Sequence, residues 1–125
     1  MGLDNGIIVR NIKKEDIPSS IDRFGIGNEF AYWRKCWGIR DNILRILDVD
    51  LKGEGNYILD REKLKKVIEE LERFTDEEYW NKYAESVWEF DDFRESQEHY
   101  LRNLHWLYDY IENHPEVEVV FYDSY

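Results

Sequence analysis

The segment Glu29-Phe30-Ala31-Tyr32-Trp33-Arg34-Lys35-Cys36-Trp37 sets cations among aromatic rings. Proteins use that combination to hold flat anionic molecules, by stacking and by neutralising charge. Read as a helix, Phe30, Trp33 and Trp37 fall on one stripe, and Arg34 lies one turn from Phe30 and from Trp37. A guanidinium inside such a stripe is costly to bury unless an acid meets it. Two readings follow and both stay open. In one, Tyr32, Trp33, Arg34 and Trp37, joined by Tyr122 and Tyr125 from the C-terminus, bind a small anionic, nucleotide-like ligand. In the other, the aromatics are core and Arg34 is paired inside the fold with Asp4 or Asp123.

The remaining reactive residues form no recognisable catalytic set. His99 and His105 diverge on a helix, and no His-x-x-x-His, Cys-x-x-Cys or Glu-x-x-His spacing occurs, so no metal site is expected. Asp91-Asp92 with Glu89 and Glu95 reads as an acidic helix start that meets the helix dipole. Single scattered glycines exclude a phosphate-cradling loop, and no serine sits in a nucleophile elbow. Cys36 is the sole cysteine, which excludes an internal disulfide, and its aromatic neighbours mark it as a core thiol rather than a nucleophile. A non-enzymatic protein without cofactor is expected.

These residues are carried by a chain of 125 residues, of which 42% are hydrophobic and 16% aromatic, enough for one domain spanning 1–125 with a real core. Disordered chains are poor in the Trp, Tyr and Phe abundant here. The net charge is −11, with residues 1–47 at +2 and residues 60–98 at −7. An acidic body argues against direct nucleic-acid binding, which needs a basic footprint. It leaves room for an acidic decoy that covers a basic protein surface. No apolar run approaches a membrane span, and the N-terminus lacks signal-peptide character, so a cytoplasmic protein is expected.

Positioning falls to an α+β fold. Gly6 to Ile12 reads as a strand, residues 13–28 as a loop ending at Asn28 as N-cap, and Glu29 to Leu47 as the first helix, with Gly38 a sign of close packing. Tyr57-Ile58-Leu59 reads as a short strand before Asp60 caps a helix carrying Leu64, Val67, Ile68, Leu71 and Phe74. Helices from Glu77 to Trp88 and from Phe93 to Asn113 follow, the second with Phe93, Gln97, Tyr100 and Leu104 in one row. Val117 to Tyr122 has strand chemistry. The expected assembly is three to four helices packed on a small sheet that pairs the N- and C-terminal strands. Aromatics beyond what one core row needs, such as Tyr79, Trp80, Trp106 and Tyr110, predict a homodimer or larger.

The opening Met1-Gly2-Leu3-Asp4, the Tyr32-Trp33-Arg34-Lys35 signature and the ending Tyr122-Asp123-Ser124-Tyr125 together resemble a family of small uncharacterised bacteriophage and prophage proteins. Those proteins commonly open Met-Gly-Leu-Asp and carry Tyr-Trp-Arg-Lys on the first helix. Here Asn5-Gly6-Ile7 replaces the residues usual after the tetrapeptide, and Tyr125 replaces a terminal Trp. The resemblance implies a phage-encoded accessory protein that acts on the host. The expected function is therefore a binder that sequesters a small anionic host ligand. The alternative is an acidic interaction protein that blocks a basic surface of a host nucleic-acid-binding protein.

Overall fold

The computed structural model describes residues 4–18, 22–24, 27–34, 36–49, 55–84 and 89–124. The fold is α+β. Five strands, β1 (Asp4–Arg10), β2 (Asp22–Phe24), β3 (Gly27–Arg34), β4 (Gly55–Leu59) and β5 (Glu118–Ser124), form one sheet in the order β2-β3-β1-β5-β4. Every neighbouring pair is antiparallel, and the N- and C-terminal strands lie side by side, with Asp4 opposite Ser124 and Arg10 opposite Glu118. Pairing β5 between β1 and β4 protects a Val-Val-Phe run that would be a sticky edge if left open.

Among the described residues four α-helices pack together and onto the sheet: α1 (Trp37–Ile46), α2 (Arg61–Arg73), α3 (Glu77–Tyr83) and α4 (Phe90–Tyr110). Asp60 and Asp76 begin α2 and α3, their carboxylates accepting from the backbone N–H of Lys63 at 2.7 Å and of Tyr79 at 3.1 Å. Leu64, Val67, Ile68, Leu71 and Phe74 are all buried, as the spacing on α2 predicts. At the end of α1, Asp48 takes a left-handed φ of 56°, and the N–H groups of Asp48 and Val49 return to the carbonyls of Arg45 and Leu44 in a Schellman turn.

The largest departure from the sequence reading lies between residues 27 and 46. Gly27–Arg34 is a strand, Asn28 is inside it rather than capping a helix, and the helix begins only at Trp37. The reason is a bulge. Ile7 pairs with Ala31 and Ile8 with Glu29, which leaves Phe30 as an extra residue on β3. The extra residue lets Phe30 and Ala31 both be buried before alternation resumes with Trp33, so the stripe has a three-residue step that imitates a helical turn. Part of the expected loop is also ordered, with a 3₁₀ turn at Lys14–Asp16 and β2 paired to β3. The expected extension of α3 to Trp88 falls at residues 85–88, outside the described residues.

Phe30 lies against Trp106 of α4 with ring centres 6.2 Å apart, and Trp80 stacks on Phe93 at 4.1 Å, joining sheet, α3 and α4 in one core. Phenols tie the elements together by donating to carboxylates, among them Tyr79 to Glu70, Tyr110 to Asp16 at 2.6 Å and Tyr122 to Glu29 at 2.9 Å. Burial first, and then the accepting carboxylate, pushes Tyr79 and Tyr110 up to about 12, and Tyr122 is raised too. A phenol whose folded pKa is raised contributes stability that is complete below its unfolded value of 10.0 and is lost as pH rises through the folded value. Urea unfolding followed by tyrosinate absorbance should therefore show stability falling between pH 10 and about 12. A flat profile across that window would mean these phenols ionise as freely as exposed ones.

Candidate functional site

A cleft opens between the C-terminal end of β3 and the first half of α4, with a volume of about 110 Å³. Strand alternation after the bulge brings Trp33 against α4, where its indole Nε1–H donates to Gln97 Oε1 at 3.1 Å and its ring meets Tyr100 edge-on, 6.2 Å between centres. Phe93 completes an aromatic wall, and Cys36, just before α1, adds a thiol. Asp92 and Ser96 are exposed and mark the mouth, while Trp33, Cys36, Phe93 and Gln97 are buried and form the floor. An engineered apolar cavity of about 150 Å³ takes a benzene ring. This cleft is thus sized for one small ring, with the rest of a molecule projecting through the mouth.

Gln97 gives the cleft its polarity. Its side chain is 0% exposed, and with Oε1 accepting from Trp33 its Nε2 has no hydrogen-bond partner. The indole N–H can only donate, so the amide orientation is set and the orphan group is a donor. Leaving a buried donor unmet costs about 1–3 kcal/mol. Nε2 presents no accessible surface of its own, so an acceptor atom, such as a ring nitrogen or a carbonyl oxygen, would meet it only when the floor of the cleft shifts.

Of the residues expected to bind ligand, Tyr32 and Trp33 share the cleft, and Trp37 and Tyr122 lie outside its lining. Trp33 is in the cleft and Tyr32 lines its rim. The Tyr32 hydroxyl is spent on Asp4 Oδ1 at 2.5 Å, and that of Tyr122 on Glu29. Tyr32 and Tyr122 flank Gly6 in the sheet, and a Cβ on Gly6 would meet Tyr122 Cε1 at 3.0 Å and the carbonyl oxygen of Ala31 at 2.3 Å, so glycine is required for that close approach. Trp37, the first residue of α1, is 38% exposed, with the Arg40 guanidinium 5.8 Å from its ring centre, and is not part of the cleft. The Arg34 side chain, Lys35 and Tyr125 lie outside the described residues; the Arg34 backbone pairs with Asp4.

Asp123, one of the two acids expected to meet a buried cation, is paired with Arg40: Arg40 Nε donates to Oδ2 at 3.0 Å and Nη2 to Oδ2 at 2.9 Å, while Nη1 reaches Asp41 Oδ1 at 3.0 Å. Because α1 begins at Trp37, Arg40 shares the inward face with Leu44 and Leu47, one and two turns on. Burial works against the Arg40 charge, but the hydrogen bonds and negative charges of Asp123 and Asp41 outweigh it and hold its pKa above the ordinary value.

The expected site lacked Gln97, Tyr100, Phe93 and the exposed pair at the mouth. The signal for Gln97 is visible in retrospect of geometry: it is the one amide in the apolar row Phe93, Gln97, Tyr100, Leu104. Among the described residues no cluster of three His, Cys, Asp or Glu could hold a metal ion, and no helix is long and apolar enough to cross a membrane. No protein-family model, curated protein or solved structure matches this chain.

Proposed function

We propose that the protein is a non-enzymatic binder that holds a small planar heterocycle, with the size and hydrogen-bonding character of a nucleobase, in the cleft between β3 and α4. The observation that carries this reading is the orphaned Gln97 donor buried in an aromatic-walled cleft. Trp33, Phe93 and Tyr100 supply faces and edges for a flat ring, and Gln97 Nε2 supplies the one directional contact. Among the described residues the lining contains no cation, and it carries Asp92 at its mouth, which disfavours a phosphate there. A free base or nucleoside fits these walls better than a nucleotide. The phage-accessory role, sequestering such a molecule from the host, rests on the resemblance of the terminal and Tyr-Trp-Arg-Lys patches.

The test is a panel of bases, nucleosides and nucleotides, read by Trp fluorescence and thermal shift. Binding should quench or shift the emission of Trp33, and Gln97→Met should weaken it about tenfold, one hydrogen bond's worth. If no member of the panel moves either signal, this reading is wrong. The alternative, an acidic protein covering a basic host surface, draws on the exposed Glu69, Glu72, Glu77, Glu78, Asp91 and Glu95 of α2 to α4. Salt-insensitive capture, unchanged by reversing those charges, would remove it.

A further inference from the structure

We propose that the outer edge of β4 is a self-association surface, on which a second copy of this chain pairs antiparallel and extends the sheet. β4 ends the strand order and, among the described residues, has a strand partner on one side only. Its register with β5 runs unbroken from Gly55 opposite Asp123 to Leu59 opposite Val119, so no bulge turns the edge away. Edges that must stay unpaired are guarded by charges, Pro or bulges. Gly55-Asn56-Tyr57-Ile58-Leu59 has none of these, and β4 is the one strand of the five without a charged residue. Tyr57 and Leu59 pack toward the core, which turns Ile58 to the opposite face of the sheet. At 64% exposure, Ile58 is the most exposed large apolar side chain among the described residues. The surplus aromatics are taken up within the fold instead: Trp80 is buried, and Trp106 and Tyr110 stack on each other.

Charge and symmetry select a second copy as the occupant. Each copy carries a net −11, so two copies meet at least cost through a strip that adds no like charges, and β4 is that strip. Asp60, the first charge beyond it, is turned to the backbone N–H of Lys63 in the α2 cap. A strongly basic or acidic partner strand would find no counter-charge along this edge. About a two-fold axis at Tyr57 the whole strand pairs, with Tyr57 opposite the partner's Tyr57 and Asn56 opposite the partner's Ile58. The two Ile58 side chains then become diagonal neighbours on one face, within reach of each other. Pairing also closes the assembly. The edges left on the joined sheet are both β2, three residues long and carrying Asp22 and Arg23, which resists further addition. A five-residue strand gives a contact at the small end of interface sizes, below about 1,200 Å², so the dimer is reversible. β1 and β5 separate β4 from β3, so both clefts stay open.

Sedimentation velocity across roughly 10 μM to 1 mM should show a rise from one copy to two and no further. Raising salt from about 0.05 M to about 0.5 M should strengthen association, because screening removes repulsion between the acidic bodies and spares the apolar edge. Ile58→Lys should weaken association at least about tenfold although it lowers the net negative charge, and Asn56→Lys should act alike. Both positions are exposed, so both variants should match the parent in circular dichroism and Tm. In hydrogen exchange, the β4 amides of the parent should slow as protein concentration rises, and those of the variants should not. A parent that stays monomeric at roughly 1 mM in high salt would overturn the proposal. So would a dimer that both Lys variants leave intact, a dimer that salt dissolves, or growth beyond two copies. Base and nucleoside binding, read by Trp fluorescence, should be the same in Ile58→Lys as in the parent, so the ligand reading and this one fail separately.

Discussion

Replacing Asp123 by Ala should destabilise the protein by about 3–5 kcal/mol, because it strands a charge in the interior. Arg40 is 4% exposed and Asp123 2%, and the carboxylate takes hydrogen bonds from both Nε and Nη2 of the guanidinium. Without Asp123 the guanidinium loses its buried counter-charge, keeps Asp41 as a partly exposed neighbour, and cannot shed its proton. Against a typical total of about 5–15 kcal/mol, that loss brings the chain near its unfolding threshold. The double substitution Arg40→Met with Asp123→Leu should behave differently. It removes both charges and their desolvation, and should cost little or even stabilise. Urea midpoints at unchanged slope would read both effects. An Asp123→Ala loss of about 1 kcal/mol or less would place the pair with screened surface bridges instead.

That pair also shows where sequence reading reached its limit. The need for a buried cation to meet an acid was legible, and Asp123 was one of the two acids named for it, beside Asp4. Which cation was not, because it depended on where the first helix starts. Periodicity cannot separate a helix from a bulged strand when one extra residue, Phe30, restores a three-residue step. Once that boundary slipped from Trp37 to Glu29, Arg34 took the inward position that Arg40 holds. Where local chemistry was self-sufficient, the reading held: Asp60 caps its helix, α2 buries its stripe, and the terminal strands pair. The cleft was hidden for a different reason. It joins β3 to α4 across 64 residues of chain, through Trp33 and Gln97, and only the fold brings them together.

Gly38→Ala carries the second large expectation, and its sign opposes the usual rule. In an ordinary helix interior the change stabilises by about 1 kcal/mol, through propensity and a less mobile unfolded chain. At Gly38 a Cβ would stand 1.7 Å from the Tyr83 carbonyl oxygen and 2.8 Å from the carbonyl carbon and oxygen of Ala84. Those atoms are backbone and cannot rotate away, and the Gly38 N–H is itself bound to the Ala84 carbonyl at 2.9 Å. The α1 start and the α3 end would have to separate, so we expect a loss of about 3 kcal/mol, the upper end for overpacking, and a fall in Tm of roughly 10 °C. A variant as stable as the parent would mean that the contact yields easily. Because Cys36 sits two residues before this contact and in the wall of the cleft, separating α1 from α3 should also disturb the cleft. Loss of ligand-dependent Trp fluorescence in folded Gly38→Ala protein would then follow from geometry, without any change to a residue that lines the site.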